Sequence, residues 1–354
     1  MKPDEIGDVV LATGFLRIVR RECPHSHITI AVKPACAELV DHPCFADRIL
    51  LWNENWRSFR LDAPEKLSLI QTAVRTWSGH RPDWILIPRT GMDFYNAALY
   101  AWWTGATSIC AHETLWTEAD LKRQQLVSVV VRSGKGGHEI ECHRQMLAAI
   151  GLPSIAPQPH LEIPPVSRTA AQELLRQCAQ QQPLIALGVG ARLPDRKWPI
   201  ERFRQVVELI RGSGREVHFI VIGGDSDRDD GLFVAQGMNE WVVNTTGRLS
   251  LLESAAILQR CTLFVGNDSG SMHLAAAAGC RIVEISKHPQ GADPTSGHSP
   301  ERFGPVAPWR RILRPVPSSP SCTAGCTTPE AHCILGVDVE SVVAAVLEGL
   351  SAVC

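Results

Sequence analysis

Short apolar strands alternate with helical segments along the whole chain, and this alternation constrains the fold more than any other feature. Runs such as HITIAV (27–32) and DWILIP (83–88) are followed by helix-forming stretches, and the same order restarts at LIALGVG (184–190). Strands separated by helices usually pair in parallel. The pattern therefore predicts two doubly wound α/β halves, with a cleft facing the carboxyl ends of both sheets.

A proline-rich stretch at 154–165 separates the two series and is typical of an interdomain linker. We place an N-terminal domain at 1–157, a C-terminal domain at 158–335 and a final segment at 336–354. In this segment Asp338 is positioned to cap an amphipathic helix. We expect that helix to pack back toward the N-terminal domain.

Composition limits the classes of function. A hydrophobic content of 45% over 354 residues fits a globular protein with a large core, and the formal charge of −2 gives no electrostatic basis for nucleic-acid binding. No apolar run is long enough to span a bilayer and the N-terminus is not a signal peptide, so we expect a cytoplasmic protein. The twelve cysteines are then expected to be reduced thiols.

The stretch CTLFVGNDSGSMHLAAAAG (261–279) predicts a buried strand that turns tightly into a helix. Asp268 or Ser269 is placed to cap this helix, and Gly279 to end it. Free backbone N–H groups at such a helix start favour an anionic ligand such as a diphosphate, which His273 would reach from one turn inside. An ordinary capped strand–turn–helix explains the same pattern.

Three further loops follow predicted strands of the second half: 188–199, 223–227 and 244–247. Loops at the carboxyl ends of parallel strands meet at one edge of the sheet, where a nucleotide would bind. The GVG of the first loop does not continue into the glycine pattern of a dinucleotide fingerprint, so NAD binding is not favoured.

Taken in order, four segments resemble glycosyltransferase family 9, the bacterial heptosyltransferases that build the lipopolysaccharide core. They are EIGDVVLATGFLRIVRR, GGHEIECHRQMLAAIGLP, RKWPIERFRQVV and TGRLSLLESAAILQRCTLFVGNDSGSMHLAAAAG. The resemblance implies a GT-B fold, in which two Rossmann-like domains hold the active site between them. It also implies inverting, metal-independent transfer from a nucleotide sugar, ADP-heptose in the best known members, without a cofactor.

The resemblance assigns the chemistry to two residues. Asp8 matches the proposed general base, which takes the proton from the acceptor hydroxyl as its oxygen attacks the anomeric carbon. Lys197 matches the lysine that contacts the donor phosphates, where a fixed cation stabilises the departing diphosphate. Asp8 equally suits the dipole of a helix N-terminus, and Lys197 suits a surface position beside a buried Trp198.

The donor-binding residues implied by the resemblance lie in the second half: Asn267, Asp268, Ser269, Gly270 and His273, with Asp225 for the donor ribose. Asp227 is a nearly equal candidate for the ribose. His273 also fits a core histidine bonded to backbone. Arg192 and Arg196 are expected to be solvated charges rather than phosphate ligands.

The acceptor belongs to the first half, where His138 and Glu139 match a dipeptide that recurs in the family. A lipid-linked or free glycan is the implied acceptor, and a lipid-linked one would bring the protein into peripheral contact with the inner membrane. Four aromatic side chains of this half are able to stack on a sugar, although we expect them in the core: Phe94, Tyr95, Trp102 and Trp103.

The sequence departs from the family at its start. Family members begin with an apolar strand directly before the segment that matches Lys2-Pro3-Asp4, whereas this sequence starts at Met1. We expect the core of the first domain to be open beside Asp8. A start codon placed too far downstream is the favoured explanation, and a compromised protein is the alternative. Gly14 and Ser271 also differ from the usual family residues, and both changes look tolerable.

A loop before the last helix contains four potential metal ligands, Cys322, Cys326, His332 and Cys333. Their spacing fits no standard zinc signature. The sequence therefore favours loop thiols, with a metal or redox site as the alternative.

Three other functions remain open. The DSD of 225–227 resembles the DxD of metal-dependent GT-A glycosyltransferases, although it lies in the second α/β half. A non-catalytic nucleotide-sugar-binding relic would bind ADP without turnover. A nucleotide-sugar epimerase of the same fold would need no acceptor and would release a free sugar nucleotide.

Overall fold

The computed structural model describes residues 1–57, 62–113, 125–133, 136–177, 182–323 and 330–352. The chain divides into two compact units, Met1–Pro159 and His160–Cys354, and the division falls inside the proline-rich stretch. Among the described residues, none of the helices combines the length and the hydropathy that a membrane span requires.

The described part of the first unit contains five short strands and four α-helices. The strands are β1 (Thr29–Val32), β2 (Arg48–Leu51), β3 (Trp84–Ile87), β4 (Ser108–His112) and β5 (Val129–Val131). The helices are α1 (Ile6–Glu22), α2 (Ala63–Thr76), α3 (Ala97–Trp103) and α4 (Glu139–Ala149). Strand β1 pairs with β2, and β4 pairs with β3 and β5, always in parallel as the alternation predicts.

The strands of the first unit form two separate sheets, and a groove of about 610 Å³ is lined by β1, β3 and helix α1. Its lining is mostly apolar. Beside it, the Met1 amine donates to Leu86 O (2.5 Å) on β3, and the Lys2 N–H donates to Ala31 O (2.8 Å) on β1. Two residues thus bridge the sheets. The groove meets helix α1 at Phe15, Leu16 and Val19, so an open core at Asp8 itself stays a prediction.

Helix α1 approaches the linker backbone at Gly14. A Cβ atom added to Gly14 would lie 2.1 Å from Gln158 O and 2.8 Å from the carbonyl carbon of Pro157. Neither contact leaves room for a side chain, because both partners are backbone atoms. The glycine is therefore required at this position, whereas the sequence indicated only that it was tolerable.

The second unit is built on one continuous parallel sheet in the order β11-β10-β9-β6-β7-β8. Its strands are β6 (Leu184–Gly188), β7 (His218–Ile222), β8 (Val242–Asn244), β9 (Leu263–Asn267), β10 (Arg281–Ile285) and β11 (Arg310–Leu313). Its helices are α5 (Pro165–Leu174), α6 (Ile200–Gly212), α7 (Arg228–Ala235), α8 (Leu251–Leu258), α9 (Gly270–Ala277), α10 (Pro300–Phe303) and α11 (Val339–Ser351). Every residue of β6, β7 and β9 is buried, as expected for central parallel strands.

The last helix, α11, belongs to the second unit. Asp338 caps it by accepting a hydrogen bond from the Ser341 N–H (2.6 Å), as the sequence predicts. Its apolar face, which includes Val342 and Val346, lies in the core of the second unit against α6 and β10. Residues 336–354 are therefore part of the second unit rather than a separate segment, and their expected packing toward the N-terminal domain stays a prediction.

Candidate functional site

Polar loops of the second unit gather where four neighbouring strands end. The strand order places β10, β9, β6 and β7 side by side, so the loops after them lie along one edge of the sheet. The segment between β6 and α6 carries Lys197, and the turn after β7 carries Asp225 and Asp227. The turn after β9 leads directly into helix α9 at Gly270.

The N-terminus of helix α9 presents hydrogen-bond donors at this edge. Ser269 is the N-cap residue, but its hydroxyl makes no capping bond, and Ser269 Oγ is buried without a partner among the described residues. The first N–H groups of a helix have no acceptor within it, and the helix dipole adds partial positive charge. His273, one turn inside, is only 6% exposed. This arrangement suits an anionic group.

Lys197 contacts two carboxylates instead of standing free at the surface. Its amine donates to Asp227 Oδ1 (2.9 Å) and lies 3.4 Å from Asp230 Oδ2. Burial opposes the charge of the amine, but the hydrogen bond and charge of Asp227, with the charge of Asp230, outweigh it and raise the pKa of Lys197. The lysine is thus held as a fixed, one-third exposed cation.

The glycines of this region leave room for Asp227. A Cβ on Gly190 would lie 2.2 Å from Asp227 Oδ2, and a Cβ on Gly223 would lie 2.9 Å from Asp227 Cβ. Asp227 Oδ2 also accepts a hydrogen bond from the Gly224 N–H (3.0 Å). Gly190 and Gly223 therefore allow the close packing of their loops around Asp227.

The two candidates for the ribose differ in environment. Asp225 is exposed and pairs with Arg228 (2.6 Å), whereas Asp227 is buried and bound to Lys197. Asp225 is therefore the one of the two whose side chain faces solvent. The sequence could not separate them, because they lie two residues apart in the same short turn.

Asn267 links two neighbouring loops through its side chain. Its Oδ1 accepts from the Trp198 N–H (3.1 Å) and its Nδ2 donates to Val189 O (2.8 Å), and the residue is fully buried. Both ends of the amide are engaged within the protein. Asn267 therefore fixes the backbone next to Lys197, a role that the sequence did not suggest.

Arg196 is not the solvated charge that the sequence favoured. Its Nη1 donates to Asp268 Oδ2 (2.7 Å), and its Nη2 donates to His298 Nδ1 (2.5 Å). Both side chains of the Arg196–Asp268 pair are at most one-fifth exposed. Asp195, which directly precedes Arg196, forms an ion pair with Lys287. This edge of the sheet therefore carries several fixed charges.

Glu284 is a buried acid that the sequence analysis missed. It lies on central strand β10, is 1% exposed, and its Oε2 has no hydrogen-bond partner among the described residues. Burial, and then the charge of Asp268, raises the pKa of Glu284 to about 8. A glutamate inside the apolar run RIVEIS was the signal that pointed to it.

In the first unit, Asp8 and Glu139 both act on one buried amine, that of Lys2. Burial lowers the pKa of Lys2, and the negative charges of Asp8 and Glu139 oppose that shift. Lys2 Nζ donates to Pro88 O (2.9 Å) and lies 3.2 Å from Asp4 Oδ2. The structure therefore brings the predicted base and a predicted acceptor residue to one polar cluster, with Lys2 as a member that the sequence missed.

His138 has a structural role, and the aromatic side chains of the first unit differ in how exposed they are. His138 is the N-cap residue of helix α4, where its ring accepts from the Ile140 N–H (3.2 Å). Tyr95 is buried, as expected, but Trp102 and Trp103 are 50% and 38% exposed. The core interpretation is therefore wrong for these two tryptophans, because they lie on the outer face of α3.

The described cysteine-loop residues come together. Cys322, His332 and Cys333 each offer one ligand atom, and these atoms lie within 4.8 Å of one another. Cys326 falls outside the described residues.

The chain matches the model of a known family over more than half of its length. Residues 120–327 match glycosyltransferase family 9 (heptosyltransferase). A curated relative, lipopolysaccharide heptosyltransferase 3 of Escherichia coli, is 26% identical over 155 residues, which make up 43% of this chain and 45% of the relative. The match to this relative thus spans less than half of its length.

Solved structures share the fold over nearly the whole chain. The glycosyl transferase family 9 structure from Veillonella parvula has a TM-score of 0.78 at 22% identity, with 98% of this chain and 95% of that one covered. E. coli heptosyltransferase WaaC with ADP has a TM-score of 0.68 at 16% identity, with 98% of each chain covered. At these identities the likeness concerns the fold, and it confirms the predicted pair of Rossmann-like domains. With the family model matched over 120–327, the chain belongs to glycosyltransferase family 9.

Proposed function

We propose that this protein transfers a sugar from a nucleotide sugar to a hydroxyl group of a lipopolysaccharide-core or related glycan, with inversion and without a metal ion in the chemical step. Heptose and ADP-heptose are the sugar and donor we favour. The observation that carries the proposal is that the N-terminus of α9 and the fixed Lys197 cation lie along the same edge of the second unit's sheet.

The second unit would bind the donor through its diphosphate. The N–H groups at Gly270 and the following residues, with the helix dipole, supply donors for phosphate oxygens. Lys197 supplies a positive charge whose position is set by Asp227. When the bond from the sugar to the diphosphate breaks, negative charge grows on the leaving phosphate, and preorganised donors stabilise that charge. Asp225, exposed nearby, would accept hydrogen bonds from the donor ribose.

The first unit would activate the acceptor. Asp8 takes the proton from the acceptor hydroxyl while the oxygen forms its bond to the anomeric carbon and the diphosphate leaves from the opposite face, which gives inversion. Lys2 interacts electrostatically with Asp8, which places the proposed base in the buried polar cluster of the first unit. His138 and Glu139, at the start of helix α4, would bind acceptor hydroxyls.

The comparisons support the donor class. A solved structure with the same fold is that of E. coli heptosyltransferase WaaC with ADP, and a curated relative is a lipopolysaccharide heptosyltransferase of E. coli. A lipid-linked acceptor would bring the first unit to the cytoplasmic face of the inner membrane, where the exposed Trp102 and Trp103 suit an interface.

The test is a screen of the purified protein with ADP-, UDP- and GDP-sugars, with and without a core-oligosaccharide acceptor. We expect transfer from an ADP-sugar that survives EDTA. Asp8→Asn should lower the rate by about 10²–10⁴-fold with ADP affinity unchanged, while Asp41→Asn, an exposed acid of the same unit, should not. Lys197→Met should weaken ADP binding, while Lys66→Met should not.

Three outcomes would replace the proposal by one of its rivals. Activity that EDTA abolishes would indicate metal-dependent transfer through the 225–227 carboxylates. ADP binding without turnover of any donor would indicate a binding relic. Conversion of the sugar nucleotide in the absence of an acceptor, followed by mass analysis and NMR of the product, would indicate an epimerase.

A further inference from the structure

We propose that Cys322, His332 and Cys333 bind a zinc ion that clasps the segment between strand β11 and helix α11. The site is separate from the donor and acceptor residues, and its role is structural. It does not depend on the proposed reaction, because a metal site of this kind is measured without substrate.

The distances between the ligand atoms fit tetrahedral coordination. His332 Nδ1 lies 3.8 Å from Cys322 Sγ and 3.5 Å from Cys333 Sγ. With zinc–sulfur bonds of about 2.3 Å and a zinc–nitrogen bond of about 2.0 Å, tetrahedral angles separate sulfur and nitrogen by about 3.5 Å. Adjacency in sequence explains why His332 lies near Cys333. It does not explain why Cys322, ten residues earlier, supplies the third ligand atom.

The surroundings of the two sulfur atoms suit thiolate ligands. Cys322 and Cys333 are 6% and 5% exposed. Ser319 Oγ lies 3.3 Å from Cys322 Sγ, and Ser318 Oγ donates to Cys333 Sγ (3.6 Å). Hydrogen bonds from an outer shell orient metal ligands and tune their affinity. Two thiolates with one imidazole favour zinc over calcium or magnesium, which prefer oxygen ligands. The exposed His332 leaves one side for a fourth ligand.

The clasp would stabilise the backbone next to Lys197. Immediately after Cys333, Ile334 is fully buried in the core of the second unit. Trp198 Nε1 donates to Val337 O (2.9 Å), and Arg202 Nη1 donates to the carbonyl oxygens of Leu335 (2.7 Å) and Val337 (2.8 Å). Trp198 directly follows Lys197. A metal ion that ties Cys322 to His332 and Cys333 therefore restrains the segment on which Trp198 is seated.

The experiment measures metal content of the full chain, expressed in zinc-supplemented medium and exchanged into metal-free buffer. Elemental mass spectrometry should find about one zinc ion per chain in the wild type and less than about a tenth in the Cys322→Ser/Cys333→Ser variant. Cys23→Ser, a cysteine of the first unit, should retain the full content. His332→Ala, which alters only an exposed ligand, should lower zinc affinity by more than about tenfold.

A second measurement guards against misfolding of the double variant. Wild type stripped by a strong chelator should take up Co²⁺ with the thiolate-to-metal charge-transfer absorption of a two-sulfur site, and zinc should displace it. Chelation should also lower the Tm of the wild type but not of His332→Ala. Wild type with less than about a tenth of an equivalent of zinc and no Co²⁺ spectrum would overturn the proposal. Zinc retained in the folded double variant would overturn it as well.

Discussion

The two units are built from the same parallel strands and helices, yet only the second joins its described strands into one sheet. There, β9 and β6 form the central pair with two strands on either side, and every residue of both is buried. In the first unit β1 and β3 stand on either side of a groove of about 610 Å³. In the described part of this unit, backbone hydrogen bonds of Met1 and Lys2 connect β3 and β1.

This difference affects the proposed donor residues and the proposed base in different ways. The proposed donor loops of the second unit follow neighbouring strands, and Asn267 links two of them, so their geometry rests on a continuous core. Asp8 lies beside Lys2, the residue that bridges the two sheets of the first unit. The electrostatic environment of the proposed base therefore depends on the region where the two sheets of the first unit are joined. Changes at Met1 or Lys2 should alter the environment of Asp8 before they alter the proposed donor residues.

The largest effect is expected from filling the groove. An Ile/Val-rich hexapeptide added ahead of Met1 would run between β1 and β3, pair with both, and bury its side chains against α1. Apolar burial, less the entropy of ordering six residues, gives a stabilisation of about 5 kcal/mol. Thermal unfolding with hydrogen exchange of peptides from β1 and β3 would measure it.

A Gly/Ser hexapeptide of the same length is the matched control and should not protect β1 or β3.

Burial, then the charge of Lys2, lowers the pKa of the Met1 amine to about 5, so the folded form resists protonation. The unmodified protein should thus lose stability as the pH falls from 8 to 5, because the unfolded chain binds the proton first. The apolar extension replaces the amine by an amide and should remove this dependence. Equal protection by both extensions would contradict the comparison.

Sequence reasoning reached the features that depend on local pattern and on topology. The Asp338 cap follows from a short polar residue before an apolar periodicity, and the grouping of Lys197 with the α9 start follows from parallel strand ends. It failed where side-chain direction decides. The local sequence does not indicate that the Arg196 side chain binds Asp268, or that the Trp102 side chain is exposed. These depend on which neighbours the fold supplies.

The next largest effect tests the close approach of α1 to the linker. Gly14→Ala places a Cβ against backbone at 157–158 and should destabilise the first unit by about 3 kcal/mol, since backbone atoms cannot rotate away. Gly212→Ala, in helix α6 with open space around the added atom, is the control and should be nearly neutral. Denaturant unfolding gives both values. Equal effects would show that the first unit accommodates the methyl group.

The continuous sheet of the second unit contains a destabilising group, the buried carboxyl group of Glu284. Because burial and Asp268 raise the pKa of Glu284 to about 8, the folded protein keeps a proton that the unfolded chain releases near the ordinary glutamate pKa of 4.5. Stability of this unit should therefore fall as the pH rises from about 4.5 to 8 and level off above. Glu284→Gln should remove the fall and exceed wild type by about 2 kcal/mol at alkaline pH. Glu340→Gln, an exposed acid of α11, should follow the wild-type profile, and a parallel profile for Glu284→Gln would refute the assignment.

The smallest effect tests whether α11 belongs to the second unit alone. Asp338→Ala removes the acceptor of the Ser341 N–H and should cost about 1 kcal/mol, the usual value of an N-cap. Since Val342 and Val346 pack in the core of the second unit, the loss should appear in the exchange of amides in α6 and β10. Amides of β1 and β3 should be unchanged. Glu340→Ala, in the first turn of the same helix but outside the cap, should leave both sets unchanged to within about 0.5 kcal/mol. Faster exchange in the first unit after Asp338→Ala would mean that the helix stabilises both units. The stabilities of the two units would then not be independent.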